Sequence, residues 1–558
     1  MFKYVFLGSF ILIYFSFNLA SRGQGVFVGS RHIDDYLRRA QILNDEKINE
    51  FGFSYLLKEG SHLNSFIGQF EDSVTTSLFK LMPLATLNIY NSNRPYGWGN
   101  YGLTPNVGFQ TGITFGFSFQ NKFIKAYHQP IFFYSQNLDF PGFSEDFDLD
   151  IVRHRFRGWN FSDSPERFGT KPNGKYDFGN SLLAFYYRNI EIGVAYKPIW
   201  WGPGQFNSLT FSNNTRGFPN ITFKTNKPVK TFLGDFEWQV IVGRLEDSKI
   251  LPSKTQKFNQ RFAVPFADDW RYLNAMTFAF SPKIFNGLSI GFSRTFHQYN
   301  RFRRNTFSDI FPIFDPFQKE KFGLDRDEER RDQQFTVFAK YVNVKAKGEV
   351  YFEFGRRDHA LNWREFILNP EHARGFIMGF NKAFDLTNTT KNFLVRGEIT
   401  HQQESNNRYI RYPGLLGGLS WHTHATGARG FSNHGMTLGT GIGIGSNVQT
   451  LEFSVVDHFN KIGILFERLE NHQDFYYRAF GQQQEHQPWI DLSVGFLFDK
   501  QWNNLLLSSK LQLINGLNYQ WQLHPNSTPD FPKGQNLFSV HAQTSLIYFW
   551  NQPKSKND

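Results

Sequence analysis

No cysteine occurs among the 558 residues. Disulfides, a cysteine nucleophile, thiolate metal sites and a lipobox-type lipid anchor are excluded together. Long apolar runs are missing too: after the amino terminus none reaches the roughly 18 residues that a transmembrane helix needs. A mean hydropathy of −0.44 agrees with that and excludes a helical membrane protein. The formal charge is +11, yet no basic run or nucleic-acid motif accompanies it. Nucleic acid is therefore not expected as a partner, and acidic glycans or lipid head groups remain the acidic partners to consider. Gly439, Gly441, Gly443 and Gly445 recur at every second position but lack the order of a dinucleotide-binding loop. No catalytic residue, cofactor or metal is expected.

What the chain has in excess is aromatic side chains, 18% of the total with 66 Phe. A soluble core draws more on aliphatic residues, whereas lipid-facing strands with aromatic girdles use such a composition. The stretch Val107 to Phe119 shows how they are deployed. Val107, Phe109, Thr111, Ile113, Phe115, Phe117 and Phe119 alternate with Gly108, Gln110, Gly112, Thr114, Gly116 and Ser118. Successive strand residues point to opposite faces, so one face is nearly all apolar and the other small or polar. The stretch is longer than a usual soluble strand and matches a tilted strand crossing a bilayer. An unpaired backbone group in hydrocarbon costs several kcal/mol, so one such strand implies a closed barrel of many.

The remaining pattern fits that reading. Residues 1–23, with a charged start, an apolar stretch from Tyr4 to Phe17 and small residues near Ala20 and Gly23, read as a secretory signal peptide. Residues 24–79 are expected to form a periplasmic helical cap, in which Ile33, Leu37 and Ala40 share one helical face and Asp34 and Asp35 lie in the first turns. From 80 to 558 the chain reads as barrel. Period-two segments fall at 81–91, 107–119, 123–134, 181–188, 190–197, 220–226, 235–245, 271–280, 288–296 and 334–344, then at 348–356, 374–384, 392–402, 448–457, 462–470, 489–499, 504–514 and 537–550. The stretches 198–226 and 434–447 leave room for further strand pairs. The predicted class is all-β, an antiparallel transmembrane barrel of about 18 strands with a small N-terminal helical element. Short turns fall on the side of both termini and long loops on the other, the arrangement of short periplasmic turns and long external loops.

Specific residues also point to a family. The stretches NSNRPYGWGNYGLTPNVGFQTG (91–112), QPIFFYSQNLDFPGF (129–143), WWGPGQFNSLTFSNNTRGFPNI (200–221), VGRLED (242–247), SPKIFNGLSIGFSRT (281–295) and GFSNHGMTLGTGIGIGSN (430–447) resemble the capsule assembly protein Wzi family. That resemblance implies an eighteen-stranded outer-membrane barrel of Gram-negative bacteria, a helical bundle at its periplasmic end and external loops closing the lumen. It also implies a non-catalytic lectin that holds exported capsular polysaccharide on the cell surface. The expected partners are capsular or other surface polysaccharide, outer-membrane lipid and a periplasmic or export-machinery component, with the chain itself a monomer. The inserts at 144–171 and 319–332 look particular to this chain. A diffusion porin and a glycan or lipid hydrolase are the rival classes.

Trp98, Trp200, Trp201, Asn213, Asn214, Arg216, His422 and His424 are the candidate polysaccharide contacts. A sugar ring stacks on an indole face while Asn, Arg and Asp bind its hydroxyls. For Trp200 and Trp201 packing is the default reading and sugar contact the alternative. For Arg216 an internal salt bridge, with Glu246 or another wall acid, stands before a uronate clasp. His422, His424 and His434 lack the spacing of a metal site. Asp146, Asp148 and Asp150 open like a calcium loop but meet Ile151 and Arg157 where Gly and Glu are needed. With Arg153, Arg155 and Arg157 close behind them, a solvated, self-paired loop is expected. Glu349 and Glu353 are the carboxylates a hydrolase reading would use.

Overall fold

The computed structural model describes residues 31–43, 79–315, 330–357, 363–368, 370–405, 420–424, 429–481 and 485–550. The expected signal peptide, most of the 24–79 cap and nearly all of the 319–332 insert lie outside these residues.

Alternation builds a single sheet. Its strands are β1 (Phe79–Asn91), β2 (Gly108–Gln120), β3 (Ile124–Ser135), β4 (Asn173–Tyr187), β5 (Ile190–Lys197), β6 (Phe218–Thr225), β7 (Gly234–Leu245), β8 (Arg271–Pro282) and β9 (Leu288–Tyr299). They continue as β10 (Asp332–Asn343), β11 (Gly348–Arg357), β12 (Arg374–Asp385), β13 (Asn392–His401), β14 (Asn447–Asp457), β15 (Asn460–Glu470), β16 (Ile490–Trp502), β17 (Leu505–Leu517) and β18 (Leu537–Tyr548). Each is antiparallel to its neighbours in the chain, and β1 pairs with both β2 and β18, from Leu84 opposite Tyr548 to Asn91 opposite His541. The sheet is thus a closed eighteen-stranded barrel without a free edge. Phe109, Ile113, Phe115 and Phe117 point outward, Phe115 with 52% of its surface exposed, while Gln110, Thr114 and Ser118 are buried inside. The phenylalanines therefore form the outer skin rather than a core between two sheets.

Two stretches differ from the sequence reading. Strand β4 begins at Asn173 rather than 181, because Gly179, at φ +60°, forms a bulge in which Gln129 faces both Gly179 and Asn180. A bulge shifts the alternation by one residue and hides the strand's continuity. Within the 144–171 insert, Leu149–Ser162 is a helix (α2) that buries Val152, Arg155, Phe156 and Trp159. Arg153 does pair with Asp150 in solvent, but the other face of the helix packs with Phe143, Phe258, Phe475 and Trp521 of the neighbouring loops. Of the places left open for extra strands, 434–447 contributes to a two-residue hairpin of Ser432–Asn433 with Met436–Thr437. The stretch 198–217 holds one isolated bridge, Trp201 to Phe211.

Both ends of the lumen are filled. At the short-turn end lies helix α1 (Arg31–Ile42), whose Ile33, Tyr36 and Leu37 pack with Phe459, Leu506, Ile547 and Phe549. Its other face meets a polar wall, so charge holds it there. Asp35 accepts from Lys461 at 3.0 Å, from Arg39 at 2.9 Å and from Arg396. Glu349 on β11 takes Arg38 together with Lys340, the latter at 2.9 Å. Burial opposes ionisation of Asp35, but Arg396, Lys461 and Arg39 hold its carboxyl well below the usual range. From the long-loop end the 198–217 segment descends to meet the helix, where Arg38 donates to the Gly204 carbonyl at 3.1 Å and Arg31 to the Phe206 carbonyl at 3.3 Å. Glu398 on β13 anchors that segment by accepting the backbone N–H groups of Gln205 and Asn207 at 2.6 and 2.8 Å.

Candidate functional site

Where the long loops converge they enclose a cavity of about 230 Å³. Tyr96 and Trp98 come to it from the β1–β2 loop, Trp159 from α2, Trp489 from the start of β16 and Tyr519 from the β17–β18 loop. The rings support one another: Trp489 meets Tyr519 edge-to-face at 5.0 Å, and Tyr96 lies 5.9 Å from Trp98. Such mutual packing fixes aromatic faces without using their cavity sides.

A charged hub sets their positions. Arg94 is 2% exposed and Asp491 1%. The guanidinium reaches Asp491 through both terminal nitrogens at 2.9 Å and donates from Nε to Ser539 Oγ at 2.9 Å. The same carboxylate accepts from Trp489 Nε1 at 2.9 Å and Asn471 Nδ2 at 3.0 Å. Arg94 also lies within 5.8 Å of the ring centres of Tyr96, Trp489 and Tyr519. One ion pair thereby ties the first long loop to the last two.

Of the residues singled out from the sequence, Trp98 and Asn214 line this cavity. Asn214 is pinned by donating to the Thr437 carbonyl at 3.0 Å and accepting from Gly99 N–H at 3.3 Å. Asn213 beside it accepts from Tyr101 N–H through its carbonyl at 2.7 Å. The other candidates are elsewhere. Trp201 is buried, donates to Gln239 at 3.0 Å and packs edge-to-face on Phe211 at 4.8 Å, and Trp200 is buried next to it. Arg216 pairs with Asp177 of β4 at 3.5 Å, an internal bridge with a different acid from Glu246. His422 is buried against Phe431, with ring centres 6.0 Å apart, and neither ring nitrogen has a hydrogen-bond partner. His424 is buried close by and its N–H donates to the Phe161 carbonyl at 2.8 Å. Among the described residues no three His, Asp or Glu side chains gather as a metal site. The residues 287–291, Gly-Leu-Ser-Ile-Gly, have the spacing of a hydrolase nucleophile elbow, which needs a strand-to-helix turn. Ser289 instead lies within β9, 2.7 Å from Ser281 Oγ. Arg94, Trp159, Trp489, Asp491 and Tyr519 were not legible as a site, since nothing in their spacing links them.

The buried histidines make the in-folded loop sensitive to acid. Burial pushes His422 and His434 down to about 3 each, with Arg357 adding to the effect at His422 and Arg216 at His434. The unfolded loop takes up protons near pH 6.5 while the packed loop resists them, so stability is full above 6.5 and falls as pH drops toward 3. Hydrogen-exchange protection factors over 429–446, normalised for intrinsic rate, are expected to fall at least tenfold between pH 7 and pH 5. The strands β14 and β15 should keep theirs. Equal protection at both pH values contradicts this.

A sealed antiparallel ring with an aromatic outer skin and a filled, polar lumen defines an outer-membrane β-barrel. The chain belongs to the capsule assembly protein Wzi family, whose sequence profile matches residues 100–509. Among solved structures it is similar to Escherichia coli Wzi, an outer-membrane protein involved in group 1 capsule assembly and a carbohydrate-binding β-barrel. The match has a TM-score of 0.57 at 12% identity and covers 95% of this chain and all of that one. OprD of Pseudomonas aeruginosa and a BenF-like porin of Pseudomonas fluorescens match with TM-scores of 0.38 and 0.36 at 8% identity, over 84% of this chain and 94% and 98% of theirs. No match was found among curated protein sequences.

Proposed function

We propose that the protein is a non-catalytic glycan-binding barrel that attaches exported capsular or other surface polysaccharide to the outer face of the outer membrane. The carrying observation is the aromatic-walled cavity at the long-loop end. It offers indole faces for stacking and the amides of Asn214, Asn471 and Gln520 for hydroxyl groups. The carbohydrate binding of Escherichia coli Wzi and the family membership support this reading. Trp98 and Asn214 are the contacts retained from the sequence, and Trp159, Trp489 and Tyr519 join them. Trp201, Arg216 and His422 serve by holding the loops that carry the cavity. Glu349 and Glu353 are engaged in the plug: Glu349 holds Arg38 and Lys340, and Glu353 accepts Leu209 N–H at 3.4 Å. Neither faces the cavity, so hydrolysis draws no support from them.

Deleting the gene is expected to move most cell-bound polysaccharide into the medium while total export stays constant. Reintroducing a Trp98→Ala, Asn214→Ala double variant should restore the barrel in the membrane but not retention. Unchanged retention in the deletion strain contradicts the proposal.

A further inference from the structure

The cavity is lined by two cations and two carboxylates, Arg94, Arg155, Glu166 and Asp491, but they do not all pair. Asp491 is taken up by Arg94, Trp489 and Asn471. Glu166 accepts the backbone N–H of Phe143 at 2.6 Å and of Lys254 at 2.9 Å. Arg155, the other charged residue lining the cavity, is 7% exposed. It has neither a hydrogen-bond acceptor nor a carboxylate within ion-pair distance among the described residues, and its Nε is buried without a partner. Aromatic rings pack against it. Its guanidinium carbon lies 4.6 Å from the ring centre of Trp159 and 5.4 Å from those of Phe475 and Trp521. Cation–π contact offsets part of the desolvation but supplies no acceptor for five N–H donors. Burial pushes the group down to about 10, with Glu166 acting in the opposite sense, so it stays charged at neutral pH. Leaving such a donor fork buried without an acceptor is unfavourable, and an anionic ligand oxygen would relieve it.

The fork is matched by a planar, two-oxygen anion. We propose that the cavity selects an acidic sugar, with the carboxylate of a uronic acid residue received by Arg155 while its ring stacks on the aromatic wall. This inference rests on the glycan-binding reading and names the sugar class that site takes. At about 230 Å³ the cavity is smaller than the roughly 300 Å³ at which pockets for drug-sized ligands begin. It suits one uronate residue of a polymer rather than a length of chain. The placement of Arg155 follows from the helix, since Val152, Phe156 and Trp159 on the same face bury it.

The test uses the full-length protein in detergent, with tryptophan fluorescence and calorimetry as readouts. The probes are glucuronate, neutral glucuronamide, glucose and inorganic phosphate. Glucuronate is expected to bind at least tenfold more tightly than glucuronamide. Arg155→Gln should abolish that ratio and Arg155→Lys should keep part of it, with near-UV circular dichroism confirming that both variants are folded. Equal binding of glucuronate, glucuronamide and glucose overturns the acidic selection and leaves the glycan reading standing. Phosphate binding with no response to any sugar overturns the glycan reading and makes Arg155 a small-anion site. A glucuronate preference that survives in Arg155→Gln overturns the assignment to this arginine.

Discussion

Asp491→Ala is expected to detach the long-loop cap from an otherwise intact barrel. The substitution leaves Arg94, 2% exposed, without its carboxylate partner and removes the acceptor used by Trp489 and Asn471. Ser539 Oγ still accepts from Arg94 Nε, but one neutral oxygen does not balance a buried guanidinium. Breaking a buried ion pair by removing one partner costs about 3–5 kcal/mol, and each 1.4 kcal/mol is a tenfold change in population. The open form of the cap should therefore rise a hundredfold or more. Three observations check this. The near-UV signal of Trp489 should collapse, trypsin should cut after Arg155, which is buried in the closed cap, and far-UV circular dichroism should keep the strand signal. A double Arg94→Leu, Asp491→Leu variant should lose much less stability, since an apolar pair removes both charges together. Unchanged tryptic protection in Asp491→Ala would show that the hub does not hold the loops.

The barrel was open to reading because its signal is local. In β2 every second residue declares its face, and a strand that crosses lipid has to declare it along its whole length. Where a local irregularity intervenes the signal fails, as at Gly179, whose bulge concealed the first half of β4. Helix α2 was hidden for a different reason. Its Asp and Arg residues dominate the eye, whereas Val152, Phe156 and Trp159, spaced as one helical face, decide where it packs. The site was harder still. Trp98 and Asn214 stand out as loop residues of suitable chemistry, but a third residue, Arg94, matters through Asp491, nearly four hundred positions away. Only closure of the ring makes them neighbours, and pairing between distant loops leaves no trace in spacing. The same holds for Arg155: from sequence it neutralises nearby aspartates, and only the packing of Phe475 and Trp521 around it shows a cation with no carboxylate at ion-pair distance among the described residues.

Phe115→Arg tests the premise on which the membrane location stands. Phe115 lies in the middle of β2 with 52% of its surface outside the ring. On a soluble protein an arginine at such an exposed position changes stability by no more than about 0.5 kcal/mol in either direction. Facing the bilayer midplane, it costs about 2–4 kcal/mol, because the charge must be carried into hydrocarbon or the bilayer must thin around it. Its neighbour Thr114 points into the barrel, where its hydroxyl donates to the Pro130 carbonyl at 2.7 Å, so the two positions differ by environment and not by depth. Urea unfolding in phospholipid vesicles should accordingly show a loss of about 2–4 kcal/mol for Phe115→Arg and little change for Phe115→Leu. Moving the arginine toward the rim, as Phe109→Arg, should reduce the loss to about 1 kcal/mol or less. That gradient with depth is what a lipid-wetted wall requires and a water-wetted wall cannot produce. Equal, small effects at both positions would mean that the phenylalanine skin of this barrel does not meet lipid.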